Sequence, residues 1–138
     1  MGSLATWALD ARVVGAALNA GRVVLGITAL AAPDLAARLL VHPDDRRPVL
    51  RMFTRLVGVR DLALGVATLD ALRRDPSGAR KLLWLGALCD LSDAAATARE
   101  RDVPRPARYL ATLVALAGTA AGAHAATHLP HQPSGEVR

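Results

Sequence analysis

The stretch Arg55-Leu56-Val57-Gly58-Val59-Arg60-Asp61-Leu62-Ala63-Leu64-Gly65 sets two arginines and an aspartate inside an otherwise apolar run. No proline breaks the run, which extends from about Val49 to Leu72. At about 1.5 Å rise per residue, a helix of that length reaches across a bilayer. Charge inside such a helix is costly unless it is paired, and intramembrane ionisable residues mark pathways or sites. The rest of the chain is therefore read for segments that bring complementary polar groups to the same depth.

Three other segments do so. The first runs from about 13 to 32 and ends at Pro33-Asp34. The third runs from about 81 to 98, after the breaker-rich Arg73-Arg74-Asp75-Pro76-Ser77-Gly78, and closes in Arg99-Glu100-Arg101-Asp102. The fourth, about 107 to 129, is the cleanest apolar stretch, and a polar tail covers 130–138. Between the first and second, Leu35 to Val41 reads as a short interfacial helix, followed by a polar turn, His42 to Pro48, in which Asp44 or Asp45 caps the next helix. The expectation is all-α: a single four-helix transmembrane bundle, up-down-up-down and antiparallel, in the cell membrane with both termini on one side. Six basic residues fall on the terminal side (Arg12, Arg73, Arg74, Arg80, Lys81, Arg138) and eight on the other (Arg38, Arg46, Arg47, Arg51, Arg99, Arg101, Arg105, Arg108). By the positive-inside rule this slight excess leans towards cytoplasmic 1–2 and 3–4 loops.

Composition sets the bounds. The 138 residues suffice for one domain and are 52% hydrophobic, but only 3% are aromatic. The net charge of +5 comes from arginine, since Lys81 is the one lysine. Arginines clustered between apolar segments, with few aromatics to stack on bases, argue against a nucleic-acid partner. Cys89 is the only cysteine, so no internal disulfide and no cysteine-based zinc site can form. Arg22 interrupts the first apolar run, which makes it a poor signal peptide. The mean hydropathy of +0.27 is modest and three segments carry charge, which keeps a soluble helical bundle as an alternative. Arg22 to Leu30 also aligns with Asp61 to Leu69, a faint sign of duplicated helices.

Position along each segment places Arg22, Asp61 with Arg60, and Asp90 near mid-helix. Neighbouring helices can gather two arginines and two aspartates there with no net charge, the arrangement that makes buried charge tolerable. Helical spacing puts Gly15, Asn19, Arg22 and Gly26 on one face, and Thr54, Gly58, Asp61, Gly65 and Thr68 on another. The expected pairs are Arg22 with Asp61 and Arg60 with Asp90. Asp93 falls level with Arg55, for which snorkelling to the interface is the competing role. Asp90/Asp93 and His124/His128 are face-sharing pairs, but opposed displacements set them on the order of 10 Å apart, so no metal site is expected.

Arg22-x3-Gly26 in the first helix, Pro33 at its end, and Gly58-Val59-Arg60-Asp61-Leu62-Ala63-Leu64-Gly65 in the second together resemble uncharacterised small four-helix integral membrane proteins of actinobacterial type, near the DoxX-like group. The resemblance implies membrane location and four helices, and no established activity. Asp90-x2-Asp93-x3-Thr97-x-Arg99 resembles part of the acidic motif of CDP-alcohol phosphotransferases, but the glycine and the later aspartate pair of that motif are missing and it is set aside.

Two function classes follow. In one, the polar centre binds a hydrophobic small molecule or lipid, and aspartate acid–base chemistry carries an isomerisation, cyclisation or epoxide opening without a cofactor. Asp61 and Asp90 are then the catalytic candidates. Arg22 and Arg60 orient them or bind an oxyanion, Asn19 supplies a hydrogen bond, and Asp93 and His124 line the site. In the other, the chain is a non-catalytic accessory or scaffold subunit whose ion pairs fix helix packing. A homo-oligomer is compatible with both.

Overall fold

The computed structural model describes residues 4–38 and 48–129, with side chains from 10–35 and 48–129. Among these residues all regular structure is helical. The helices are α1 (Leu4–Ala31), α2 (Pro33–Arg38), α3 (Pro48–Arg74), α4 (Pro76–Arg99) and α5 (Arg105–His128). The turn from His42, the capping roles of Asp44 and Asp45, the end of the short interfacial helix beyond Arg38, and the tail from Pro130 lie outside the described residues.

Proline starts helices here more than it ends them. Pro33, Pro48 and Pro76 each open one, and α5 carries Pro106 in its first turn. A first-turn amide has no intrahelical partner to lose, and the fixed proline φ suits the helix. This corrects the expected boundary between the second and third long helices. Arg73 to Gly78 is not a loop: α3 runs through Arg74, and α4 begins at Pro76, five residues earlier than its hydropathy suggests. Asp75 makes this possible as the N-cap, its side chain accepting from the Ser77 amide at 3.1 Å. It also accepts from the Ser77 hydroxyl at 2.7 Å.

Bonding from the Gly78 backbone first, then from the Ser77 hydroxyl, holds the Asp75 carboxyl below its ordinary value. A carboxylate with a depressed native pKa stabilises the fold above its unfolded pKa, near pH 4, and the contribution is lost as the pH falls through the lower native value. Asp75→Ala is therefore expected to speed amide exchange at Ser77 and Gly78 at neutral pH, with the difference from wild type vanishing in strong acid. Asp75→Asn retains most of the cap. An exchange difference that persists unchanged into strong acid would count against the carboxylate's role.

The long helices pack in pairs, α1 on α3 and α4 on α5, with α1 against α5 and α3 against α4 completing the circuit. Residue numbers run in opposite senses across both main pairs: Gly26 meets Gly58 and Leu62 while Gly65 meets Asn19 and Val23, and Gly118 meets Asp90 while Gly122 meets Leu83 and Ala87. Small residues set the spacing. A Cβ on Gly26 would lie 2.7 Å from the Gly58 carbonyl oxygen and from the Leu62 nitrogen, so the two backbones are nearly in contact.

The interior is built from small residues and many large ones lie outside it. Of ten buried hydrophobic residues among those described, seven are alanine, and Asn19, Arg22 and Thr68 are buried with them. Twenty-one large hydrophobics are exposed, including Leu25, Ile27, Phe53, Leu56, Leu88, Leu113 and Val114. Two helices, over Asp10–Ala31 and Arg105–His128, are long and apolar enough to cross a membrane.

Candidate functional site: a five-member charge chain

Arg22 reaches from α1 into the space between α3 and α4. Its side chain is 6% exposed. One terminal nitrogen, Nη2, donates to the carboxylate of Asp90 on α4 and to the Gly86 carbonyl oxygen at 3.1 Å. The other, Nη1, lies 3.5 Å from Oδ1 of Asp61 on α3. Asp61 in turn accepts from Arg60 Nε at 3.2 Å and Nη2 at 3.0 Å. Arg60 forks onto Asp93, Nη1 to Oδ1 at 3.0 Å and Nη2 to Oδ2 at 2.7 Å. The charges alternate without a break: Asp90, Arg22, Asp61, Arg60, Asp93.

Two of the sequence-derived expectations change. Arg22 takes both Asp61 and Asp90, and Arg60 pairs with Asp93 rather than Asp90. The antiparallel register between α3 and α4 explains this. Asp61 and Asp90 converge on Arg22, so the residue one step earlier on α3 meets the residue one turn later on α4. Arg55, five residues from Arg60 and so about 7 Å along the axis, is exposed and is not the partner of Asp93. The centre therefore holds three carboxylates against two guanidiniums, where two against two was expected.

Of the other expected site residues, Asn19 is buried one turn from Arg22, and its side-chain amide donates to the Gly15 carbonyl oxygen at 2.8 Å. His124 is exposed on α5, its ring centroid 4.4 Å from that of His128. It lies six residues beyond Gly118, about 9 Å further along the helix. Among the described residues no three histidine, cysteine, aspartate or glutamate side chains gather where they could share a metal ion.

The chain matches no family model, no curated protein and no solved structure. What the centre can do follows from its own chemistry.

Residues that hydropathy could not single out complete the centre. Gly86 supplies the carbonyl that accepts from Arg22, and a Cβ there would sit 3.2 Å from Arg22 Nη2. Gly118 lets α5 approach Asp90 so closely that a Cβ would lie 2.5 Å from its Oδ2. The available signal was spacing: Gly86 is four residues before Asp90 on one face, and Gly118-x3-Gly122 is a small-xxx-small pair. Arg22 Nη1 is buried with no hydrogen-bond acceptor, although Asp61 is within ion-pair range. Nη1 therefore meets Asp61 as an ion pair without a hydrogen bond.

The two ends of the chain of charges differ in solvation. The Asp90 side chain is 14% exposed and that of Asp93 is 42%. The outer pair is the less buried of the two, so Arg60→Gln is expected to lower stability by about 1 kcal/mol. Arg60→Lys, without the planar fork, should not restore it fully. Thermal unfolding in detergent measures both, and an Arg60→Gln loss equal to that of an Arg22 variant would show that the outer pair is as dry as the inner one.

Proposed function

We propose that this chain is a multi-pass membrane protein of the small four-helix, DoxX-like type, its four long helices forming an up-down-up-down bundle. Its charge chain binds a hydrophobic small molecule and moves a proton on it. The observation that carries the membrane part is the exposure of large apolar side chains around a buried arginine. Arg22 is 5% exposed while Leu113 is 63% exposed and Val24 62%. Large apolar side chains exposed to water are an aggregation liability, and in lipid they are the required surface. The two apolar helices are also mostly unburied, with 28% and 17% of their spanning windows inside, unlike core helices of a soluble protein. In α3 the charges between Leu56 and Leu69 are Arg60 and Asp61, and in α4 those between Leu82 and Ala98 are Asp90 and Asp93. All four belong to the centre.

The chemical part rests on the count of groups. Three carboxylates and two guanidiniums become neutral by holding one proton, and neutrality is what a low-dielectric interior favours. Asp61 sits between both arginines and serves as the fixed anion. Asp90, with Arg22 as its guanidinium partner, gives and takes the proton. Arg22 Nη1 donates to an oxygen of the bound molecule. Isomerisation, cyclisation or epoxide opening fits that arrangement, because each needs an acid and a conjugate base facing one apolar substrate. A second reading, an ion-pair clamp in a scaffold subunit, is favoured by one feature: Arg22 ties α1, α3 and α4 together through Asp61, Asp90 and Gly86.

The membrane part is tested by alkaline carbonate washing of membranes from cells expressing the full chain. Retention in the pellet with release only by detergent is expected, and release by carbonate alone would sink the proposal.

A further inference from the structure

The α4–α5 turn carries a second feature that the polar centre does not use. An open cleft of about 720 Å³ is lined by Ala98, Arg99, Arg101, Arg105 and Arg108. Four guanidiniums converge there against two carboxylates in the turn, Glu100 and Asp102, and the Glu100 carboxylate accepts from the Asp102 amide at 3.3 Å. Arg99 and Arg108 help build the turn. Their Nη1 atoms donate to the Ala95 and Glu100 carbonyl oxygens, each at 3.0 Å. Arg101 and Arg105 are exposed and have no ion-pair partner among the described residues. The same cup borders the start of α5, whose N-cap, Pro104, offers no side-chain acceptor to the first-turn amides.

The geometry points to a binding site for the phosphate group of an anionic phospholipid, an inference that rests on the membrane reading above. Charge complementarity gives the headgroup: arginine forks match phosphate oxygens, and uncapped first-turn amides add to the positive field. The surface leading away from the cup gives the rest of the lipid. From Arg105, one face of α5 continues through Tyr109, Leu113 and Leu116, all exposed. On α4, Leu91 and Leu88 are likewise exposed below Arg99. A phosphate held at the turn would lay its acyl chains along these rows.

The test is native mass spectrometry of the detergent-released full chain, offered equal phosphatidylglycerol and phosphatidylcholine. The proteins compared are wild type, Arg101→Ala/Arg105→Ala, and Arg73→Ala/Arg74→Ala, which removes the same charge at the α3–α4 turn. Wild type is expected to retain phosphatidylglycerol preferentially. The cup variant should retain it about 25-fold less, about fivefold per arginine, and the α3–α4 variant should behave as wild type. Equal retention of the two lipids by wild type, or equal losses in the two variants, overturns the inference. So does displacement of the lipid by an equal concentration of inorganic phosphate, which would make this a free-anion site. Carbonate washing of the same membranes separates the failures: a chain that stays in the pellet without lipid preference refutes the cup alone, and a chain that washes off refutes the membrane reading with it.

Discussion

Replacing Arg22 with methionine is expected to destabilise the protein by about 3–5 kcal/mol, more than any other single change in the charge chain. The substitution keeps much of the side-chain volume but removes the guanidinium that faces Asp61, Asp90 and the Gly86 carbonyl. Asp61 retains Arg60, whereas the largely buried Asp90 is left with no cation in contact. Removing one partner of a buried pair costs more than the pair contributes, because the surviving charge stays desolvated. The companion variant Arg22→Met/Asp90→Leu removes both charges and should recover most of the loss. A double-mutant cycle by thermal unfolding in detergent reads the coupling. An Arg22→Met protein within about 0.5 kcal/mol of wild type, or a double variant whose loss equals the sum of the two single losses, would show that the pair is not coupled as described.

Gly26→Ala should cost about 1–3 kcal/mol, a large effect for one methyl group. Its Cβ would stand 2.7 Å from the Gly58 oxygen, 2.7 Å from the Leu62 nitrogen and 2.8 Å from the Leu62 Cβ. Two of these are backbone atoms, so no rotamer change relieves them and α1 and α3 must move apart. That movement carries Arg22 away from Asp61, so the variant should also weaken the centre. Gly58→Ala, whose Cβ would lie 2.7 Å from that of Ala29, should act in the same direction. Gly21 is the control, because a Cβ there meets nothing within 4 Å. Gly21→Ala is expected to be neutral or stabilising by up to about 1 kcal/mol, since alanine is the better helix former. Equal effects at Gly21 and Gly26 would contradict the close approach of α1 and α3.

The contrast between these glycines shows what the sequence made legible. All carry the same letter in an alanine- and leucine-rich helix, and periodicity placed Gly26, Gly58 and Gly65 on the polar faces, where the close contacts are found. The membership of Arg22, Arg60, Asp61 and Asp90 in a shared polar region was legible for a related reason, that charge in an apolar run has to turn inward and find a partner, whereas Asp93 was expected beside Arg55. Which arginine meets which aspartate was not. A shift of one residue on α3 against one turn on α4 decides between Asp90 and Asp93, and that register is set by glycine contacts between helices distant in sequence. The start of α4 is not legible because Pro76, Ser77 and Gly78 have the composition of a loop, while the Asp75 cap and a proline in the first turn make them helical. Gly86 and Gly118 escaped notice because a backbone carbonyl and a missing side chain leave no polar signature.

The most direct test of the central claim is native mass spectrometry with solvent extraction of bound molecules, applied to detergent-purified wild type, Asp61→Asn and Asp90→Asn. The expected result is a co-purified apolar molecule in wild type that is lost or much reduced in Asp90→Asn while the helical signal and assembly state are unchanged. Its structure would name the substrate class. A wild-type protein that carries no such molecule, with aspartate variants that change only unfolding temperature or assembly, would contradict a binding centre and leave the ion-pair clamp as the function of these charges.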